Sequence, residues 1–234
     1  MKKKQNFQKG IIAVAILAAV MLYLAGVFSG LYANKIIREE TQANLTSLRE
    51  YVGILEETVK TQQLEQDFAD TLDTRNRCQF SELSMNNLFS QLRNYWQKLP
   101  FRLEDYEKTN TVSNDLKLQY TTASLQTWII AKGVYGKCNT TLIPVLYFYS
   151  KNCSECIEQG KQLDEVQRNV ANETAKAIVF TVDLEAPDPV ILRLKNHYNI
   201  TRTPAIIIND RVFQGKVYSS ETLINEVRRK NAQK

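Results

Sequence analysis

The chain has 234 residues, a formal net charge of +5, and 44% hydrophobic against 24% charged residues, which excludes a disordered or collagen-like chain. Lys2, Lys3, Lys4 and Lys9 hold most of the positive excess, and no basic stripe interleaved with aromatics follows, so nucleic acid is not an expected partner. His197 is the only histidine, which excludes chemistry needing two imidazoles, including most zinc hydrolase centres.

No residue from 10 to 34 is charged, and residues 11–32 are almost wholly apolar. About 20 such residues suffice to cross a bilayer as a helix, so a transmembrane signal anchor is expected at 11–32. A cleaved signal peptide is the rival reading. Its apolar part runs to about 7–15 residues, and Val27-Phe28-Ser29 makes a poor cleavage site. The lysines before the span outweigh Lys35 and Arg38 after it, which stand beside Glu39 and Glu40. That bias places residues 1–10 in the cytoplasm and the C-terminal part outside the cell membrane, in a single-pass topology. Sequons at Asn44, Asn139, Asn152, Asn172 and Asn199 are compatible with an extracytoplasmic body.

Residues 33–74 contain no proline and are expected to form a helical stalk. Leu45, Leu48, Val52, Leu55 and Val59 alternate steps of three and four, the seam of a coiled coil. The seam turns polar at Gln62, Gln63 and Gln66. A plain stalk is one reading; a homodimer through this seam is the other.

Residues 75–140 read as a small helical unit. Phe80, Leu83, Leu88, Leu92 and Trp96 mark a first helix that ends before Pro100. Ser113 caps a second, with Leu116, Tyr120, Ala123 and Trp128 on one face and Gly133 just past its end. Cys78 precedes the first helix and Cys138 follows the second. In an oxidising compartment a structural disulfide between them would close the unit; free or intermolecular thiols are the alternative.

Residues 141–234 change character. A buried strand is expected at 142–149, a helix from Ser154 to about Val170, a strand at 177–182 and a helix at 189–198. A strand at 205–208, a turn at Asn209-Asp210 into Val212-Phe213, and a terminal helix from Ser220 complete the series. Strands alternating with helices predict an α/β sheet with crossover connections.

Cys153-Ser154-Glu155-Cys156 stands between the first of these strands and its helix. A helix N-terminus presents unpaired N–H groups and the positive end of a dipole, both of which stabilise a thiolate. Cys153, nearer that end, is the expected nucleophile, and Cys156, one turn further in, the resolving thiol. Zinc uses the same C-x-x-C spacing, but it needs a second pair, and Cys78 and Cys138 have no C-x-x-C of their own. No metal is expected.

The last 93 or so residues resemble the thioredoxin-like superfamily of thiol–disulfide oxidoreductases. Three features carry the resemblance in order: the strand leading to Cys153-Ser154-Glu155-Cys156, the helix ending in Tyr198-Asn199-Ile200, and Thr201-Arg202-Thr203-Pro204 before an apolar strand. It implies a central mixed sheet flanked by helices, with a cis peptide at Pro204 lying against the cysteines. It also implies that Thr203 and Pro204 receive the substrate backbone. A proline entering a buried strand is otherwise hard to place, since it cannot donate to the ladder. This chain departs from thioredoxins proper in three places. Tyr147 stands where they carry a buried acid, Asn152 where they carry tryptophan, and Ser154-Glu155 where they carry Gly-Pro.

The expected function is therefore thiol–disulfide exchange on protein or peptide disulfides outside the membrane, with a redox partner protein and no cofactor beyond the dithiol. Glu155 opposes the helix dipole and no histidine lies in the turn, which points to a reductase or isomerase. The alternative is a redox-inactive, thioredoxin-like protein-binding module on an anchored stalk. A retired scaffold has no reason to keep both thiols next to Pro204.

Overall fold

No proline interrupts the chain before Pro100, and a single helix, α1 (Lys2–Asp70), opens the molecule. The structure is a computed structural model that describes residues 2–90, 114–138, 140–170 and 176–231, without the side chains of 2–19, 37–41, 43–45, 114 and 230–231. It divides into two units, Met1–Leu48 and Arg49–Lys234.

In the first unit Val20, Met21, Leu22, Tyr23 and Leu24 are all exposed. Five consecutive helical residues point in every direction around the axis, so apolar side chains occupy the whole circumference there. Among the described residues no helix is long and apolar enough to cross a membrane. Of the span expected at 11–32, the side chains of 11–19 lie outside the description, as do those of Asn44 and Leu45.

In the second unit the apolar seam is buried within one chain: Val52, Leu55 and Val59 are at most 2% exposed. The chain reverses after α1 at Asp73, whose Oδ1 accepts the N–H groups of Arg75 and Asn76 at 3.1 and 3.2 Å. These bonds, the Asn76 N–H foremost, hold the exposed carboxyl below the usual range. Helix α2, residues 74–90, follows, with Ser81, Ser84, Met85 and Leu88 buried. Gln62 Nε2 donates to Ser84 Oγ at 2.6 Å, and Ser81 Oγ donates to Gln66 Oε1 at 3.1 Å. The seam expected to make a coiled coil is thus occupied from Val52 onward by the chain's own packing. Its polar continuation meets the serines of α2. The boundary at Leu48–Arg49 also falls inside the segment expected as a stalk. Leu92, Trp96, Pro100 and Ser113 lie outside the described residues, and so do Asn139 and Asn172.

Helix α3 (Asn114–Cys138) runs through Gly133 and Gly136, past the expected end. Side chains beyond Gly133 explain the extension. Val134 and Tyr135 are buried, and Tyr135 Oη donates to Asn209 Oδ1 at 3.0 Å. Packing of that last turn outweighs about 1 kcal/mol for a helical glycine.

A four-stranded sheet has the order β2-β1-β3-β4, formed by β1 (Leu142–Tyr149), β2 (Lys176–Asp183), β3 (Ala205–Ile208) and β4 (Arg211–Gln214). β1 runs parallel to β2 and antiparallel to β3, and β3 is antiparallel to β4. Every β1 residue except Tyr149 is buried, so the strand is covered on both faces, which is why its sequence is continuously apolar. Pro144 is tolerated because β3 pairs only with Leu146, Tyr147 and Phe148, leaving Pro144 with β2 alone as neighbour. Asn209 and Asp210 take φ of 50° and 66°, the paired left-handed conformation that closes a two-residue hairpin with the right twist.

Helices α4 (Ser154–Val170), α5 (Pro189–His197) and α6 (Ser220–Asn231) complete this mixed α/β unit. Cys156, Gln159, Leu163, Val166 and Val170 form the buried stripe of α4. This stripe shares one core with Ile143, Val145 and Tyr147 of β1 and with Leu223 and Val227 of α6. α5 begins with Asp188 as its cap, accepting the Val190 N–H at 2.7 Å, and Pro189 in its first turn. A central mixed sheet flanked by helices is the arrangement that the sequence resemblance implies.

Candidate functional site

β1 delivers the chain to the site. After Tyr149, Lys151 and Asn152 make a turn in which Asn152 takes φ of 58°, a conformation asparagine tolerates better than most residues. Cys153 ends that turn, and α4 begins at the next residue. Cys153 and Cys156 are joined, S–S 2.03 Å. Cys156 is buried at 6% exposure while Cys153 is half-buried, so Cys153 is the more accessible of the two. The Cys156 N–H donates to Cys153 Sγ at 3.1 Å. In the reduced protein this donor and the helix dipole both favour a thiolate on Cys153.

Glu155 works against them. It lies exposed between the cysteines, and its own backbone N–H and the Ser154 hydroxyl hold its carboxyl below the usual range. It therefore carries its negative charge throughout the neutral range.

The second wall comes from the start of β3. The Thr203–Pro204 peptide is cis. β1 and β3 pair Phe148 with Ala205, so one step further along this antiparallel ladder Tyr149 and Ser150 come beside Pro204 and Thr203. Ser150 Oγ and Thr203 Oγ1 share a hydrogen bond of 2.6 Å. The cis peptide and the cysteine turn thus lie at the same end of the sheet.

Three side chains that the motif alone does not point to hold this arrangement. Tyr147 Oη donates to the Cys156 carbonyl at 2.7 Å, buried, tying the first turn of α4 to β1. Its signal in the sequence is the departure itself: a hydroxyl where an acid is the rule. Gln159, with no exposure, donates to the Tyr218 carbonyl at 3.1 Å and accepts the Tyr218 N–H at 2.7 Å. Its place on the apolar stripe of α4 marks it as a polar residue needing partners. Gln214 braces the approach to Thr203 from β4, its Oε1 accepting the Thr201 N–H at 2.9 Å and its Nε2 donating to the Asn199 carbonyl at 3.1 Å.

Asp183, at the end of β2 and in register with Tyr149, is buried and paired with Lys117 of α3 at 2.6 Å. Its Oδ1 also accepts the Glu185 N–H. This matches a turn-capping role more closely than that of a catalytic acid. His197 is exposed on α5 against the Tyr198 ring.

Cys78 of α2 and Cys138 of α3 form the other disulfide, S–S 2.07 Å, across 60 residues. Lys137 and Arg77, each preceding one of these cysteines, both approach Asp70 of α1, at 3.3 and 3.7 Å. β1 starts shortly after Cys138 and ends just before the Cys153 turn. Its eight residues, at about 3.3 Å each, separate the two disulfides by roughly 25 Å. A cleft of about 380 Å³ opens among α1, α2 and α3 at the Cys138 end and shares no residue with the Cys153 site.

No family model matches the chain, and no curated protein matches it. Among solved structures, it is similar to thioredoxin-2, described as a component of the malaria parasite protein secretion machinery. The identity is 24%, over 38% of this chain and 82% of that one, with a TM-score of 0.30. A structure described as a malarial protein is similar at the same identity, TM-score and share of this chain, over 96% of its own length.

Proposed function

We propose that residues 141–234 form a thioredoxin-like thiol–disulfide oxidoreductase domain acting on protein or peptide disulfides. One observation carries this reading. A half-buried Cys153 is bonded to a buried Cys156 at the first turn of a helix, at the sheet end where Thr203–Pro204 is cis. In the reducing direction the Cys153 thiolate attacks a substrate sulfur, and the substrate disulfide breaks with release of one thiolate. The Cys156 thiolate then attacks Cys153 Sγ, the mixed disulfide breaks, and the second substrate thiolate leaves. Two electrons pass from the dithiol to the substrate, two protons from solvent complete the product thiols, and an external protein dithiol restores the pair. Thr203 and Pro204 offer the edge along which the substrate backbone lies. The Glu155 charge, set against the helix dipole, favours a reductase or isomerase over a strong oxidant.

The same proposal places the domain outside the cell membrane, anchored through residues 11–32. Its support is the uncharged span with lysines before it and the all-round apolar surface from Val20 to Leu24. Protease added to intact cells or spheroplasts should digest the C-terminal domain, and protection would overturn this topology.

The chemistry is tested with two variants of the full chain. Cys153→Ser should abolish reduction of a disulfide peptide, whereas Cys156→Ser should accumulate mixed disulfides visible by mass spectrometry. Full turnover by Cys153→Ser would overturn the mechanism. Absence of both turnover and trapped adducts would leave the binding-module reading in its place.

A further inference from the structure

Two exposed cations, Arg202 and Lys216, lie close in the chain to Thr203–Pro204 and to the Gly215 that bonds it. Gln214 Oε1 also accepts the Arg202 N–H at 3.4 Å, so the backbone just before Thr203 is held on both sides of the Thr201–Arg202 peptide. The Arg202 stem lies across Gly215. A Cβ placed there would come within 3.4 Å of Arg202 Cδ and 3.6 Å of its Cβ. The φ of +77° at Gly215 already disfavours any other residue. The Gly215 N–H donates to the Pro204 carbonyl at 3.0 Å, locking β4 to the cis peptide. Lys216 comes next, with Nζ 5.2 Å from the centre of the Tyr218 ring. Tyr218 and Cys153 pack against the same core. Arg202 and Lys216 are both exposed, the first with its stem against Gly215 and the second next to it in the chain. Among the described residues neither is paired with a carboxylate.

The other side of the site carries exposed charges of both signs. β2 flanks β1 away from β3. At its end Asp183 is neutralised by Lys117; beyond it Asp188 is engaged as a helix cap and Glu185 is exposed. Glu155 adds a second exposed carboxylate from the cysteine turn, and Lys151 an exposed cation before it. The exposed charge beside the disulfide is therefore cationic at Arg202 and Lys216 and of both signs at Lys151, Glu155 and Glu185.

We infer that Arg202 and Lys216 select disulfide substrates carrying acidic side chains in the segment that lies along Thr203–Pro204. This inference rests on the oxidoreductase reading above and names its substrate class. An extended polypeptide on that edge passes its side chains over the two cations. Exposed charges of this kind act mainly on the encounter rate and are screened by salt.

The test uses the full chain in detergent, pre-reduced and freed of reductant, in single-turnover reactions with three disulfide peptides. They differ only in the residues flanking the cysteine, which are glutamate, lysine or uncharged. At low salt the glutamate peptide should react about three- to tenfold faster than the lysine peptide, the scale of one or two exposed ion pairs. The ratio should fall toward one at high salt. In the double variant Arg202→Glu, Lys216→Glu the ratio should invert, and being a ratio it does not depend on the fraction of active protein. Equal rates in the wild-type chain, or a preference that survives the double variant, would overturn the selectivity while the uncharged peptide still reports exchange. No reaction with any peptide would overturn the oxidoreductase reading and the selectivity with it.

Discussion

The two disulfides stand at opposite ends of one strand, and the difference between them is a difference in neighbours. Cys78–Cys138 fastens two helices together. Cys78 lies inside α2, and Cys138 is the last residue of α3. Cys153–Cys156 closes only a single turn, so its bond constrains little of the unfolded chain. It lies instead where a helix dipole and a backbone donor favour a thiolate. Loop length gives the first bond the greater hold on the unfolded chain, and local electrostatics favour a thiolate at the second.

Removing each bond separates these roles. Replacing Cys78 and Cys138 together by serine should cost about 4 kcal/mol, the chain-entropy scale for a loop of this length. Thermal or denaturant unfolding measures this, and peptide reduction per folded molecule should persist. Loss of exchange in that variant would mean that the two ends of β1 communicate. The charged support of the site is next in size. Lys117→Met leaves Asp183 buried without its cation, and about 3 kcal/mol should be lost at neutral pH in the same assay. A stability equal to the parent would mean that solvent reaches Asp183.

Smaller effects sharpen the comparison at the reactive end. Tyr147→Phe removes the donor to the Cys156 carbonyl and leaves that acceptor buried, at a cost of about 1 kcal/mol. Glu155→Gln should have the least effect on stability and a measurable one on redox poise. Loss of the negative charge stabilises the Cys153 thiolate, favours the reduced form and makes the potential less negative. Because this carboxyl is held below its usual range, the shift should be constant through neutral pH and fade only as acid protonates the parent's Glu155. A shift toward more negative potential would contradict the assigned direction.

Much of the C-terminal fold is legible in the sequence because burial on both faces leaves an unbroken apolar run, as at residues 142–149 and 205–208. Asn209-Asp210 is legible because both residues tolerate the left-handed backbone a tight hairpin needs. Other features are hidden for physical reasons. A seam of Val52, Leu55 and Val59 says which face of a helix is buried, not whether the chain or a second copy buries it. Gly133 reads as a helix end because its local cost is visible, whereas the packing of Val134 and Tyr135 that offsets it is tertiary. At the site, C-x-x-C and Thr203-Pro204 stand out by spacing. Tyr147, Gln159 and Gln214 act through hydrogen bonds from one element to another, which spacing does not encode.

The central claim is that Cys153–Cys156 cycles while Cys78–Cys138 stays closed. Equilibrating the full chain in dithiol–disulfide buffers of graded potential, alkylating free thiols and mapping them by mass tests this directly. The account predicts that Cys153 and Cys156 open together between about −270 and −180 mV, the range of thioredoxin and disulfide isomerase. Cys78 and Cys138 should remain joined to below about −300 mV. Co-titration of the two pairs, or a bond from Cys153 to Cys78 or Cys138, would contradict it.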